Sequence, residues 1–290
     1  MREITEDEVR HYQEHGVVYL PNLLDAEWLE RMLKAYNEEM SADVEGLNTL
    51  DVVHASEMLS SIGLEPLARG ARPSGDFFVR TFNWRKFPAV AALAFGKPFP
   101  ALVAKLMGST RINFFGEQLF IKQAGSIHRT AFHQDAPYFH LEGGQCCTVW
   151  ISPDVVNEEN GMMGYVRGSH RWKLYAANTF TGQARIPGSS LEQLPDIEGH
   201  EAEYDLVYYP TNPGDVIIHH AYTVHGSTGA TGKRDRRAFT LRYLGDDIRY
   251  LEREGAPPDS QKSATLENGD RVDSDEFPLI WTAEQGYLMA

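Results

Sequence analysis

The chain has 290 residues, which is enough for one large domain or two small ones with a sizeable core. Its composition, with 42% hydrophobic and 23% charged residues, is typical of a globular protein and excludes a disordered chain. The formal net charge of −14 argues against a general nucleic-acid binder and against a protein that binds anionic membranes.

The sequence predicts neither a targeting signal nor a disulfide framework. The first residues, MREITEDEVRHYQEHG, lack the apolar segment of a signal peptide, and no uninterrupted apolar run of about 18 residues predicts a membrane span. The only cysteines, Cys146 and Cys147, are adjacent and would point to opposite faces of a strand, so we expect reduced thiols. These features predict a cytoplasmic protein with a small-molecule partner, no nucleic acid and no membrane, and they leave the oligomeric state open.

The N-terminal part is predicted to be mostly helical. Thr5 and Glu8 form a capping-box pattern for a helix that ends at Gly16. A short strand broken by a proline follows at 16–24, and Asp25 is placed to cap a second helix.

Two further segments complete the region 1–110. Residues 41–75 carry little signal and are predicted to mix short helices with loops. A third helix is predicted from residue 87 to residue 107, interrupted where Pro98 and Pro100 force a break.

Short β-rich runs follow one another from residue 111, separated by Gly, Pro, Asn and Asp. They lie at 111–123, 145–153, 161–170, 204–210, 214–226 and 236–244. Many short strands without helices between them predict a sandwich, jelly roll or barrel, so the fold class is mainly β with flanking α-helices.

The chain is interpreted as a single domain over 1–290, because no repeat or low-complexity linker divides it. The mostly helical part is 1–110 and the β core is 111–245, with a long insertion at 171–203. The polar segment 246–290 is predicted to wrap the surface.

The stretch AFHQDAPYFH at 131–140 places an imidazole and a carboxylate two positions apart. If this segment is extended, His133 and Asp135 point to the same face and reach one point from the same side. That geometry suits two ligands of one metal ion and predicts a third ligand elsewhere.

The third ligand is expected from the strand at 214–226, on which His219 and His225 would share a face. His225 directly precedes Gly226, where the strand ends, and a metal centre that binds small molecules suits a strand end. We therefore predict His225 as the ligand and His219 as a hydrogen-bonded histidine near the site.

Two imidazoles and one carboxylate leave open coordination positions, a pattern typical of non-haem Fe(II), with zinc as the rival metal. Arg236, which opens the strand after His225, is suited to hold a carboxylate through two parallel hydrogen bonds. Arg237 points to the opposite face and is the main competitor for this role, while Arg234 is expected in a solvated turn.

Several motifs in family order resemble the phytanoyl-CoA dioxygenase family of Fe(II)/2-oxoglutarate oxygenases. They are His133-Gln134-Asp135, TVWISPD, NEENGMMGYVRGSH, PGDVIIHHAYTVHGS and RRAFTLRY, and together they span residues 111–245. The resemblance implies a double-stranded β-helix, a cupin-like jelly roll with flanking helices.

The resemblance also implies the cofactors Fe(II), 2-oxoglutarate and O2, with Arg236 on 2-oxoglutarate and further contacts from Ser227, Trp150, Gln134 and Gln118. It implies hydroxylation of an unactivated C–H bond of a small to medium organic substrate, with release of succinate and CO2. Desaturation, epoxidation, ring formation and epimerisation use the same centre and are left open.

The substrate is less clearly encoded. Tyr138 and His140 follow the ligand pair, and Arg80 and Trp84 lie in the aromatic run DFFVRTFNWRKF; all four are candidates to line the substrate side, with core packing as the alternative. A secondary metabolite, an apolar carboxylic acid or an acyl thioester would fit. The alternative function is a non-catalytic jelly-roll module that binds metal or acts as a sensor.

Overall fold

The computed structural model describes residues 2–42, 49–51, 75–126, 128–257 and 260–289, with 49–51 described by backbone alone. The α-helices of these residues are α1 (Glu6–His15), α2 (Ala26–Ser41), α3 (Pro88–Ala94) and α4 (Phe99–Met107). The strands are β1 (Val17–Leu20), β2 (Thr49–Asp51), β3 (Phe77–Thr81), β4 (Arg111–Lys122), β5 (Thr130–His133), β6 (Leu141–Glu142), β7 (Cys146–Ile151), β8 (Met163–Val166), β9 (Leu206–Tyr209), β10 (Val216–His220), β11 (His225–Ser227), β12 (Arg236–Leu244), β13 (Arg249–Tyr250), β14 (Leu279–Thr282) and β15 (Gly286–Tyr287).

The first two helices begin where their capping residues predict. The Glu8 backbone N–H donates to Thr5 Oγ1 at 3.2 Å and the Thr5 N–H donates to the Glu8 carboxylate at 2.7 Å, which completes the capping box of α1. Gly16 ends that helix in the left-handed conformation, and the Asp25 carboxylate caps α2 by accepting from the Trp28 N–H.

The predicted third helix is divided into α3 and α4, as the two prolines require. By length and composition alone, Pro88–Met107 would be long and apolar enough to cross a membrane, and 56% of its most apolar window is buried within the structure. Both helices contribute core residues against the sheet, so packing accounts for their apolar character.

All strand pairs in the two larger sheets are antiparallel. The main sheet has the order β1-β10-β7-β12-β4-β14-β15, with β3 also pairing with β4 and β2 pairing with β3. The second sheet has the order β5-β11-β8-β9, and β6 and β13 form a separate pair.

The two faces of the main sheet differ. The outer face packs against the helices through apolar side chains, which include Phe114, Ile121, Cys147, Val149, Ile151, Ile218, Phe239, Leu241 and Tyr243. The inner face lies toward the second sheet and carries buried polar and charged side chains, which include Lys122, Thr148, His219, Arg236, Thr240 and Arg242, together with the buried Trp150 and the partly buried Gln118.

Two expectations from the sequence change in detail. The segment 214–226 is not one strand: β10 belongs to the main sheet and β11 to the second, so the chain crosses between sheets in the middle of this segment. Residues 246–290 do more than wrap the surface, because β14 pairs with β4 and Phe277 is fully buried. Most of 41–75 lies outside the described residues.

The two cysteines are free and lie in different core clusters, as their alternation predicts.

Candidate metal centre

His133, Asp135 and His225 form a buried cluster between the two sheets. One ligand atom from each side chain lies within 4.8 Å of the others. Asp135 Oδ1 is 3.6 Å from His133 Nε2 and 3.7 Å from His225 Nε2, so a single carboxylate oxygen faces both imidazoles. Within the described ranges, no fourth His, Cys, Asp or Glu joins the group.

Strand pairing brings the two histidines together. His225 opens β11 directly opposite His133, the last residue of β5, and their ring centroids are 4.4 Å apart. The register then shifts before Ser227, which pairs with Thr130. A register irregularity of this kind turns side chains locally and is common beside functional sites.

Asp135 reaches the cluster in a different way from the one predicted. The strand ends at His133, and Asp135 has helical dihedral angles at the start of the short 3₁₀ turn Ala136–Tyr138. The i, i+2 argument for an extended segment is therefore wrong in detail, although the carboxylate still meets the imidazole.

Both imidazoles are oriented for metal binding. His133 Nδ1 lies 2.8 Å from the carbonyl oxygen of Ala131, and His225 Nδ1 lies 2.8 Å from that of Thr223. Because a carbonyl only accepts, each Nδ1 carries the proton and each Nε2 keeps its lone pair. Hydrogen bonds of this kind fix the tautomer of metal-binding histidines.

The second oxygen of Asp135 has its own partners. Thr148 Oγ1 donates to Asp135 Oδ2 at 2.9 Å, and Arg242 Nε approaches it at 3.4 Å. His219 lies beside the site as predicted, with Nε2 3.6 Å from the same oxygen. The predicted hydrogen bond is not formed, because neither ring nitrogen has a partner among the described residues. The two oxygens therefore have separate roles, with Oδ1 left facing the histidines.

The charge states suit a metal site. Burial would raise the pKa of Asp135, but the Arg242 guanidinium and the neighbouring histidines hold that pKa well below its usual value. Burial, together with His219 and His133, holds the pKa of His225 well below its usual value. Near neutral pH the cluster therefore offers the Asp135 carboxylate and a neutral His225 imidazole, which are the forms that bind a metal.

A pair of buried basic side chains lies beyond the cluster. Arg236 on β12 pairs directly with Lys122 on β4, and both side chains are buried. Lys122 Nζ donates to Ser227 Oγ and to the Thr228 carbonyl, each at 2.8 Å. No carboxylate of the described residues forms an ion pair with either side chain. Burial and the nearby Arg236 hold the pKa of Lys122 well below its usual value. The buried Arg236 guanidinium is therefore the charge that calls for an external anion.

The surroundings of Arg236 and Lys122 offer unpaired polar groups to such an anion. The Arg236 Nε and the Tyr165 hydroxyl are buried and have no hydrogen-bond partner among the described residues. Gly161 has a φ of +95°, and a Cβ there would lie 3.1 Å from both Arg236 Nη2 and Lys122 Cδ. The Trp150 ring lies 5.9 Å from the Arg236 Cζ. We call Lys122, Tyr165, Ser227 and Arg236 the anion cradle.

The neighbouring arginine has a different environment. Arg237 points to the other side of β12 and is held by Asp154 through bonds of 3.0 and 2.6 Å to its side chain. Of the two arginines that the sequence left in competition, only Arg236 reaches the anion cradle. Burial lowers the pKa of Arg236 to about 10, so the guanidinium stays charged near neutral pH.

The two glutamines that were predicted to contact 2-oxoglutarate lie in different environments. Gln118 is on the inner face, where its Oε1 accepts a 2.7 Å hydrogen bond from Arg242 Nη2. Gln134 does not reach the cluster, which corrects its predicted contact with 2-oxoglutarate. Its side chain binds the backbone of Lys173, Tyr175 and Tyr222 instead, because it points away from the flanking ligands.

Of the four substrate candidates, only Tyr138 lies beside the cluster. Its ring centroid is 5.5 Å from that of His133, and its hydroxyl donates to the Asn178 Oδ1 at 2.7 Å. His140 points toward the C-terminal segment, where its Nδ1 accepts from the Arg253 N–H at 3.0 Å. That placement corrects its predicted substrate role.

Arg80 and Trp84 lie on the outer side of the main sheet, so their predicted substrate roles are wrong. Arg80 donates to the carbonyl of Glu39 in α2. Trp84 packs against the aromatic rings of Phe95 and Phe114 in the helix-side core. The core-packing alternative therefore accounts for both residues.

Sequence reasoning missed Lys122, Tyr165 and Arg242. Each lies inside a predicted strand, and alternation along β4 and β12 places Lys122 and Arg242 on the same face as Gln118 and Arg236. A charge on the inward face of a buried strand is the signal that would have found them.

The donor set fits Fe(II): two imidazoles and one carboxylate oxygen converge, and no fourth protein ligand among the described residues closes the site. The anion cradle fits the remote carboxylate of a keto acid. Fold and site together define a jelly-roll protein with the facial ligand triad of non-haem iron oxygenases.

The phytanoyl-CoA dioxygenase (PhyH) family model matches residues 12–238, and the chain belongs to this family. It is 30% identical over 178 residues to the 2-aminoethylphosphonate dioxygenase of an uncultured bacterium (HF130_AEPn_1), covering 58% of this chain and 61% of that protein. It is 26% identical to the 1-deoxypentalenic acid 11-beta-hydroxylase of Streptomyces arenae, covering 75% of this chain and 72% of that protein. The match to the first of these relatives thus spans less than two thirds of its length.

The fold also matches a solved structure along nearly its whole length. The non-haem alpha-ketoglutarate-dependent carbocyclase SnoK from nogalamycin biosynthesis superposes with a TM-score of 0.67 at 21% identity, covering 95% of this chain and 96% of that chain. The predicted double-stranded β-helix is confirmed. At this level of identity the similarity concerns the fold and does not identify the reaction.

Proposed function

We propose that this protein is an Fe(II)- and 2-oxoglutarate-dependent oxygenase that hydroxylates an unactivated C–H bond of a small to medium organic substrate and releases succinate and CO2. The observation that carries the proposal is the position of two side chains on β11. His225 faces the ligand cluster, and Ser227, about 7 Å further along the strand, accepts from Lys122 of the anion cradle.

The residues divide the work of binding. His133, Asp135 and His225 would hold the iron, and Arg236 and Lys122 would hold the remote carboxylate of 2-oxoglutarate, with Trp150 beside it. When bound, iron, 2-oxoglutarate and O2 supply the oxidising power for the C–H bond. Thr148 and Arg242 keep Asp135 Oδ2 occupied, which leaves Oδ1 for the metal.

Burial serves the same chemistry. The three ligands and Arg236 are nearly inaccessible to solvent, so the site lies away from bulk water. The non-catalytic alternative is disfavoured, because a structural metal site is usually closed by a fourth protein ligand and needs no pair of buried basic side chains beside it. Small organic substrates are supported by two relatives, a 2-aminoethylphosphonate dioxygenase and a 1-deoxypentalenic acid 11-beta-hydroxylase.

The test is Fe(II)-dependent conversion of 2-oxoglutarate to succinate by the wild-type protein and by Asp135→Ala. Loss of a metal ligand should lower this turnover by more than about 100-fold, since even changes in residues that orient ligands cost ~10–100-fold in metal affinity or activity. Asp154→Ala is the matched control, because that carboxylate binds Arg237 outside the site and should leave turnover near wild type. Full turnover by Asp135→Ala would refute the ligand assignment.

A further inference from the structure

Arg242 is a buried guanidinium next to the proposed iron site, on the side away from the anion cradle. It lies on the inner face of β12 and is 4% exposed. Nε approaches Asp135 Oδ2 at 3.4 Å, Nη1 lies 3.3 Å from Thr240 Oγ1, and Nη2 donates to Gln118 Oε1 at 2.7 Å. Its Cζ lies 5.3 Å from the centroid of the Phe139 ring, which supports the guanidinium from one side.

The charges of the site do not balance with iron and 2-oxoglutarate alone. Asp135 and the keto-acid carboxylate together neutralise Fe(II), and Arg236 neutralises the remote carboxylate of 2-oxoglutarate. Arg242 then has no remaining counter-charge, since its sole ion-pair partner among the described residues is Asp135. Lys122 adds to this excess whenever it is protonated, and a buried charge without a counter-charge is costly.

The groups around Arg242 are suited to bind an anion. A guanidinium has five N–H bonds, and among the described residues three of those on Arg242 have an acceptor. Gln118 uses its oxygen on Arg242, so its amide nitrogen remains as a further donor, and this side chain is only partly buried. Two N–H groups of an arginine and an adjacent amide match the oxygens of a carboxylate or a phosphonate.

We propose that Arg242 and Gln118 bind an anionic group of the prime substrate, so that the enzyme acts on organic acids bearing a carboxylate or a phosphonate. This inference rests on the proposed function, because the charge excess is counted with iron and 2-oxoglutarate in place. Binding at Arg242 would place the anionic group beside the Asp135 ligand, and the C–H bond to be oxidised would belong to the carbon chain next to it.

Methylphosphonate is the probe for this site. The full-length protein is loaded with Mn(II) in place of Fe(II) and saturated with 2-oxoglutarate, and the 31P relaxation of methylphosphonate reports its proximity to the bound metal. We expect relaxation enhancement in the wild type that acetate reverses by competition and the neutral analogue acetamide does not. Competition by acetate tests for the carboxylate source and direct enhancement tests for the phosphonate source.

The variants separate anion binding from structure. Arg242→Gln should weaken probe binding by about 10-fold or more, Arg242→Lys should retain part of it because the charge remains, and Gln118→Leu should weaken it without touching Asp135. In each variant the affinities for Mn(II) and for 2-oxoglutarate are measured alongside. Probe binding is then compared at concentrations that saturate both, because Arg242 also holds the Asp135 carboxylate.

The outcomes distinguish this inference from the proposed function. Equal relaxation enhancement in Arg242→Gln and in the wild type, or none in a wild-type complex that binds Mn(II) and 2-oxoglutarate, would overturn the substrate site alone. A parallel loss of 2-oxoglutarate affinity in Arg242→Gln would assign this arginine to the co-substrate instead. A wild-type protein that forms no complex with metal and 2-oxoglutarate would contradict the proposed function itself.

Discussion

The two faces of the main sheet are made by the same strands but have different chemistry. On the outer face, Phe114, Leu241 and Tyr243 pack against helices. The buried Arg80 and Glu117 on that face have partners within the chain, the Glu39 carbonyl and the Asn83 backbone N–H. On the inner face, Arg236 and Arg242 point toward the second sheet. The residues between them on the same face of the strand, Ala238 and Thr240, are uncharged. Charged side chains buried between two sheets are costly, so their concentration on one face indicates bound ligands.

The largest effect on ligand binding is expected at the inner face of β12. Replacing Arg236 by Met should weaken 2-oxoglutarate binding by roughly 30-fold or more, because losing one partner of a buried charge pair costs about 2–5 kcal/mol. Arg237→Met is the matched control on the opposite side of the strand. It removes a partly exposed ion pair worth about 1 kcal/mol or less and should leave 2-oxoglutarate affinity nearly unchanged.

Isothermal titration with 2-oxoglutarate in the presence of Mn(II) measures both variants. Equal losses of affinity in Arg236→Met and Arg237→Met would contradict the distinction between the two faces.

The free energy of unfolding should depend on the outer face, which affects 2-oxoglutarate binding little. Phe114 is fully buried on the outer face and contacts the rings of Trp84, Phe95 and Tyr243. Phe114→Ala should lower the free energy of unfolding by about 3–5 kcal/mol while leaving 2-oxoglutarate affinity close to wild type. Urea unfolding followed by circular dichroism checks the first expectation. A variant that is as stable as wild type yet fails to bind the co-substrate would contradict it.

A smaller effect is expected from pH in the metal-free protein. Burial lowers the pKa of both His219 and His225 in the folded state, whereas an unfolded histidine titrates near ~6.5. The folded state therefore binds fewer protons, so the stability that these residues contribute is complete above about pH 6.5 and is lost as the pH falls below it. Urea unfolding with EDTA at a series of pH values from neutral to mildly acidic should show this decline. Unchanged or rising stability on acidification would contradict it.

The fold was predictable to the extent that local signals determine it. The helix caps, the prolines and the alternating strands predicted the helices and the β core at nearly their observed positions. The crossing of 214–226 between two sheets was not predictable, because one continuous β-rich run covers both strands and sheet membership depends on distant partners. The pairing of β14 with β4 is equally remote in sequence.

The candidate site was likewise predictable where local signals specify it and unpredictable where distant partners do. The ligands and Arg236 were found because their residue types and spacing are specific to this chemistry. Arg80 and Trp84 were misplaced because composition does not say which face of a sheet an aromatic run occupies. Arg242 and Lys122 escaped notice because the meaning of a buried cation depends on what lies opposite, and that is visible only once β12 is aligned with its neighbours.

The central claim is that His133, Asp135 and His225 bind iron while the anion cradle binds 2-oxoglutarate. Visible absorption under anaerobic conditions tests this claim most directly. Adding Fe(II) and then 2-oxoglutarate to the wild-type protein should produce a weak charge-transfer band that needs both additions, and His225→Ala should lose it. A wild-type protein that binds both Fe(II) and 2-oxoglutarate without such a band, or an undiminished band in His225→Ala, would contradict bidentate chelation at this site.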